Sequence, residues 1–187
     1  RCSRWVASII ERIDLGCASN LMRVLISLTT PSQAVEYTPV TSDIVTQAFI
    51  EHFCRAYKMD HDGYHGFYHW MRVLQNCRHL AKAENANIIV VELFALLHDT
   101  QRQNEDDDPE HGLRGEQFAQ TFWGRWFDVT DAEMKLLTEA LIHHSEGYVT
   151  VRVCLDADRL DLGRVGIEPK PERLWVLSGG SGSLGEA

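Results

Sequence analysis

Apolar side chains recur three and four positions apart along most of the chain after residue 40, with polar residues between them. This spacing places the apolar residues on one face of a helix. It predicts six α-helices, at about residues 44–56, 65–83, 87–98, 112–126, 130–144 and 150–162. No segment alternates between apolar and polar residues as a half-buried strand does. The predicted fold class is therefore all-α.

The third predicted helix is the most apolar of the six. Its segment Ile88–Leu97 carries apolar residues on nearly all faces, which predicts a position at the centre of the core. Ser42 or Asp43 is suited to cap the first helix. The pattern from Thr130 to Glu133 is a capping box and predicts where the fifth helix begins.

The pattern divides the chain into three parts. Residues 1–40 contain two short amphipathic stretches separated by helix breakers and are interpreted as an N-terminal helical extension or cap. Residues 41–177 form the main domain, a size that one hydrophobic core can support. Residues 178–187 are rich in glycine and serine and are interpreted as a flexible tail.

The amino-acid composition indicates which kinds of molecule the protein is expected to bind and in which compartment it is expected to lie. A net charge of −9 argues against binding to nucleic acid, which requires a basic face. It does not argue against a nucleotide substrate, because a bound metal inverts the local field. No segment reaches the ~20 apolar residues of a membrane span. The five cysteines form no C-x-x-C pair, which indicates reduced thiols and a cytoplasmic protein.

The candidate chemistry centres on His98 and Asp99, which close the apolar third helix. A carboxylate buried there is costly unless a cation pairs with it. His69, His111 and the acidic segment 156–161 supply further nitrogen and oxygen ligands, which suit borderline divalent cations. Alternatively, Asp99 caps the following loop and His98 forms a hydrogen bond within the core.

The order of His69, then His98-Asp99, then Asp158 resembles the HD superfamily of metal-dependent phosphohydrolases. His69 stands in a His-x-x-Arg-Val context and Asp158 in an Ala-Asp-Arg context, and the likeness covers about residues 60–167. The resemblance implies an HD-domain-like helical bundle with a metal site between core helices. It also implies that His69, His98, Asp99 and Asp158 are the metal ligands.

The resemblance implies further roles around that site. His111, His143 and His144 would hold a second metal or contact the substrate phosphate. Asp99 or Glu146 would orient the attacking water or accept its proton. For the paired histidines, a structural role at the C-terminal end of a helix is the rival interpretation.

Several positions stay open at this point. Asp156 is the alternative to Asp158 as last ligand, although it lies roughly 200° around the helix from it and is otherwise expected on the surface. Asp161 is either a partner of the ligands or of Arg159. The candidate phosphate-binding arginines are Arg102, Arg114 and Arg159.

The expected function is metal-dependent hydrolysis of a phosphate ester or phosphoanhydride, with a nucleotide as the favoured small-molecule substrate. The expected cofactor is one or two divalent ions of Mn, Fe, Co, Ni, Zn or Mg. A di-iron HD-type oxygenase and a non-catalytic nucleotide-sensing module are the alternatives. No membrane partner is expected, and a homodimer stays open.

Overall fold

The computed structural model describes residues 42–143 and 148–175, which contain six α-helices. They are α1 (Gln47–Ala56), α2 (Phe67–Glu84), α3 (Ile88–Leu97), α4 (His111–Phe122), α5 (Asp131–Thr138) and α6 (Val149–Arg159). A π-helical turn, Glu139–His143, continues α5, and 3₁₀ turns cover Leu160–Val165 and Pro171–Arg173. These residues include no strand, which confirms the all-α prediction for this part of the chain. The predicted extension 1–40 and tail 178–187 lie outside the described residues.

Helix α3 lies at the centre of the core, as its apolar sequence predicts. It packs against α2, α5 and α6, and α2 packs in turn against α6. The buried side chain of Asn76 in α2 links these two helices by donating to the Ala157 carbonyl in α6 at 3.0 Å. Three helices therefore meet along one seam, and the predicted metal ligands belong to α2, the end of α3 and α6. No helix in the described segments is both long and apolar enough to cross a membrane.

The first helix begins later than the predicted cap. Thr46 is the residue that caps α1, because its Oγ1 accepts from the Phe49 amide at 3.2 Å. The prediction of Ser42 or Asp43 was wrong. Ser42 instead donates from its amide, at 3.0 Å, and from its hydroxyl to the carboxylate of Glu92.

The other helix ends show where local turns override the apolar pattern. Helix α4 ends at Phe122 rather than near residue 126, because Gly124 takes a left-handed conformation (φ 73°) and its amide bonds the Phe127 carbonyl at 2.8 Å. The predicted capping box is confirmed: the Thr130 and Glu133 side chains each accept from the other residue's amide.

Glu92 is a charged residue fully buried inside the apolar helix α3. Its Oε1 accepts from the Arg78 guanidinium at 2.6 Å, and its Oε2 accepts from Ser42. The ion pair thus joins α3 to α2, and Ser42 holds the segment that leads into α1. A buried carboxylate without these donors would be strongly destabilising.

We expect Arg78→Ala to lower the free energy of unfolding by roughly 3–5 kcal/mol, because it leaves the Glu92 charge buried without its partner. The double variant Arg78→Met/Glu92→Leu should recover most of that loss, since it removes both charges. Urea unfolding followed by circular dichroism measures both. The control is Arg55→Ala, which breaks an exposed pair and should cost within about 1 kcal/mol. Equal losses for Arg78→Ala and Arg55→Ala would contradict this account.

Candidate metal centre

Three helices bring the candidate ligands together. His69 lies in the first turn of α2, His98 and Asp99 directly follow α3, and Asp158 lies in the last turn of α6. His69, His98 and Asp99 are buried, and one ligand atom of each lies within 4.8 Å of the other two. This group of two imidazoles and a carboxylate can hold a metal ion.

The ligand atoms converge on the ring of His69. Its Nε2 lies 3.0 Å from His98 Nε2 and 3.3 Å from Asp99 Oδ2. His98 Nε2 and Asp99 Oδ2 are 3.5 Å apart. Asp158 Oδ1 is also 3.3 Å from His69 Nε2, but this side chain is 42% exposed. Asp158 therefore faces the centre from its solvent side.

Hydrogen bonds at the opposite ring nitrogens fix the protonation of both imidazoles. His69 Nδ1 lies 2.7 Å from the Asp161 carboxylate, an acceptor, so it carries the proton and donates it. His98 Nδ1 lies 3.2 Å from the carbonyls of Phe94 and Ala95 and donates to them. Both Nε2 atoms therefore present lone pairs to the centre, the arrangement of metal-binding histidines.

This arrangement fits a divalent cation. Two lone pairs 3.0 Å apart repel each other unless a positive charge lies between them. Metal–nitrogen bonds of about 2.1 Å at a right angle would place the two nitrogens about 3.0 Å apart. The group contains no thiolate, so the nitrogen and carboxylate donors favour Mn²⁺, Fe²⁺, Co²⁺, Ni²⁺ or Zn²⁺ over softer ions.

A proton takes the cation's place when no metal is bound. Burial lowers the pKa of His69, but hydrogen bonds to Asp158, Asp161 and Asp99 outweigh it and raise the pKa to about 10. Burial lowers the pKa of His98. For Asp158, burial acts upward, yet the hydrogen bond and the charge of His69 bring the pKa to about 2. The Asp158 carboxylate is thus ionised and can bind a cation.

The Asp161 carboxylate contacts the His69 ring at Nδ1, the nitrogen that faces away from the centre. Besides His69, this carboxylate accepts from Arg72 at 2.6 and 3.1 Å, and the Arg164 guanidinium lies 3.5 Å away. A carboxylate held in this way fixes the ring and makes it a stronger ligand. Of the two roles left open for Asp161, the structure favours the partner of a ligand, since Arg159 binds Asp156 instead.

A cavity of about 140 Å³ opens beside the centre. Its polar lining is His65, His98, Asp99, Arg102, His111, Asp158 and Arg164, and its apolar lining is Phe94, Leu141 and Leu155. His65 lies in the turn before α2, and its Nδ1 is 2.8 Å from the Glu105 carboxylate. The candidate ligands therefore face enclosed space that a small group can enter.

His111 stands at the far side of Asp99 from the other two histidines. Its Nε2 lies 3.8 Å from Asp99 Oδ1, too far for a direct hydrogen bond. Its Nδ1 lies against the Asp108 carbonyl and donates to it. The His143 side chain, His144 and Glu146 lie outside the described residues, so their predicted roles stay predictions.

The three predicted phosphate-binding arginines have different surroundings. Arg102 lines the cavity. Arg114 does not line it, because its guanidinium is 2.6 Å from both carboxylate oxygens of Asp108, and Arg159 binds Asp156. For Arg114 and Arg159 the structure thus shows ion pairs with aspartates, and their phosphate-binding role stays a prediction.

Arg164, which does line the cavity, was missed by the sequence reasoning. It follows the last apolar helical pattern, and no motif in the sequence marks it.

Comparison of the chain with models of known protein families, with curated proteins and with solved structures finds no match. The resemblance to the HD superfamily therefore stays a prediction from the order and surroundings of His69, His98-Asp99 and Asp158.

The two late aspartates give a matched test of the ligand set. Asp158→Asn should weaken binding of Mn²⁺ by more than about 100-fold, because it removes a charge that faces the cation. Asp156 is 1% exposed, contrary to the expectation of a surface position, and it pairs with Arg159. Asp156→Asn should therefore keep the metal and lower the free energy of unfolding by about 1–2 kcal/mol. Calorimetric titration and urea unfolding measure the two effects, and the reverse pattern would contradict the assignment.

Metal binding at about pH 8 should release one proton from His69. In the metal-free protein its pKa is about 10, against an ordinary 6.5, so the ring is protonated at this pH and neutral once it binds a metal. Calorimetry in buffers of different ionisation enthalpy measures the release. A binding enthalpy that is independent of the buffer would show that the metal does not displace a proton from His69.

Proposed function

We propose that the protein is a metal-dependent phosphohydrolase that cleaves a phosphate ester or phosphoanhydride of a small molecule, within an HD-domain-like helical bundle. The observation that carries the proposal is the buried His69–His98–Asp99 group beside a cavity lined by Arg102. Ligands for a divalent cation and a guanidinium for a phosphoryl oxygen are the two parts that phosphoryl transfer requires.

His69, His98, Asp99 and Asp158 would hold the ion. When bound, a divalent ion polarises a phosphoryl oxygen and lowers the pKa of a bound water toward neutrality. Asp161 keeps the His69 ring in the orientation and tautomer that present Nε2 to the ion.

His111 is the side chain best placed to accept the proton of the attacking water. Its Nδ1 donates to the Asp108 carbonyl, so Nε2 keeps a free lone pair beside Asp99 Oδ1. Burial raises the pKa of Asp99, but His98 and His69 lower it well below its usual range. Asp99 therefore orients the water by accepting a hydrogen bond, and His111 takes the proton.

Besides the ion, the hydrolytic step needs only a water molecule and the side chains named here. The water oxygen forms a bond to phosphorus, the bond from phosphorus to the leaving oxygen breaks, and the water proton moves to His111 Nε2. Protonated His111 returns that proton to the leaving oxygen or to solvent. Arg102 neutralises charge that develops on the remaining phosphoryl oxygens.

The size of the cavity bears on the substrate. Sites that enclose a whole drug-sized ligand measure roughly 300–1,000 Å³, and this cavity measures about 140 Å³. It can enclose a phosphoryl group while the rest of the substrate stays at the mouth. A nucleotide remains our favoured substrate class, held mainly by its phosphate.

We expect the purified chain, supplied with Mn²⁺, Co²⁺ or Ni²⁺, to release phosphate or pyrophosphate from a panel of nucleoside mono-, di- and triphosphates. The two products should be detected separately, with oxygen uptake recorded in parallel. His98→Ala should lose turnover at least about 100-fold, since it removes a ligand, while its far-ultraviolet circular dichroism stays helical.

Two outcomes would replace the proposal. Oxygen uptake with bound iron and no phosphate release would favour the di-iron oxygenase. Nucleotide binding without turnover under any metal would favour a sensing module.

A further inference from the structure

The guanidinium of Arg102 is short of hydrogen-bond acceptors. Its side chain is only 9% exposed, and Nε has no acceptor within hydrogen-bonding distance. NH2 donates to the Asp106 carbonyl at 3.3 Å. NH1 lies 3.4 Å from His111 Nδ1, but that nitrogen already carries the proton it gives to Asp108.

The nearest carboxylate does not satisfy Arg102. Asp99 Oδ1 lies 3.7 Å from its Nε, close enough for attraction between charges and too far for a hydrogen bond. A buried donor without an acceptor is costly, and such groups are found where a ligand supplies the missing partner. Arg102 lines the cavity, so its incompletely paired guanidinium is a donor group that an anion in the cavity can complete.

The charges around the cavity are otherwise evenly matched within the described residues. Two arginines and two aspartates line it: Arg102, Arg164, Asp99 and Asp158. Behind the lining, Arg72 pairs with Asp161, and the partly exposed Glu105 carboxylate lies 2.8 Å from His65 Nδ1. The walls are close to neutral, and a bound divalent ion gives the cavity a net charge of about +2.

We propose that this cavity selects the doubly charged terminal phosphoryl group of a phosphate monoester, held by Arg102, over the singly charged phosphate of a diester. The proposal rests on the proposed function for the metal and goes beyond it by naming the substrate class. A terminal phosphoryl group matches the net charge and offers three oxygens to the metal and Arg102. A diester lacks one charge and adds a second substituent, which must also leave the cavity of about 140 Å³ through its mouth.

Binding is tested on the full chain loaded with Mn²⁺, using inorganic phosphate and dimethyl phosphate as probes at about pH 8, where phosphate is mainly a dianion. We expect phosphate to bind at least about 10-fold more tightly than dimethyl phosphate. Arg102→Met should weaken phosphate binding roughly 100-fold and Arg102→Lys roughly 10-fold, because lysine keeps the positive charge but not the shape and donors of the guanidinium. Exposed Arg125→Met is the control and should change nothing.

Turnover is tested with 4-nitrophenyl phosphate and bis(4-nitrophenyl) phosphate, which share a leaving group and differ in charge. The wild type should prefer the monoester, and Arg102→Met should lose kcat/KM for the monoester far more than for the diester. Metal content is measured for every variant, so that loss of the ion is not mistaken for loss of the anion site. If Arg102→Met does not fold, Arg102→Lys and the wild-type preference between the two esters still test the selectivity.

The possible results distinguish a failure of the monoester selectivity from a failure of the proposed hydrolase function. Equal affinity for the two probes, or phosphate binding that Arg102→Met leaves unchanged in metal-loaded protein, would overturn the selectivity while leaving hydrolysis intact. Selective binding of phosphate without turnover of either ester would support the anion site and overturn the hydrolase. Absence of bound metal would overturn both.

Discussion

Two imidazole nitrogens, each with its lone pair turned inward, lie 3.0 Å apart where three helices meet. Asp161 holds one ring and the carbonyls at the end of α3 hold the other, so neither can turn away from the contact. Because the pair is buried, water cannot screen the repulsion. A cation, or a proton in its absence, must stand between them. Although burial acts upward, the two imidazoles also lower the pKa values of Asp99 and Asp158, so both carboxylates are ionised beside the contact.

The fold keeps this contact in place through α3. An apolar helix packed on several sides has a fixed rotation and depth, so the two residues that follow it emerge at a defined point. Glu92 anchors the same helix through Arg78 on α2, the helix that also carries His69. The packing of α2 against α3 thus positions both imidazoles, and α6 adds Asp158 from the solvent side.

Sequence periodicity predicted the six helices and the central place of α3, because burial and apolar spacing are local properties of the chain. The motif around His69 and His98-Asp99 marked residues that the fold does bring together. The partners of these residues were harder to foresee. Arg164 at the cavity and Arg114 on Asp108 depend on which charged side chains meet across loops, whereas Asp161 was one of two partners that the sequence left open. Many pairings were compatible with the same sequence, and only the three-dimensional arrangement selects among them.

We propose that His69, His98, Asp99 and Asp158 hold one divalent ion. A crystal of the Mn²⁺-loaded protein, with anomalous scattering measured at the manganese edge, tests it most directly. We predict a strong anomalous peak at about 2.0–2.3 Å from His69 Nε2, His98 Nε2 and a carboxylate oxygen of each aspartate. A peak only at the exposed acidic loop around Asp106, or no peak at all in protein whose helices are intact, would contradict the account.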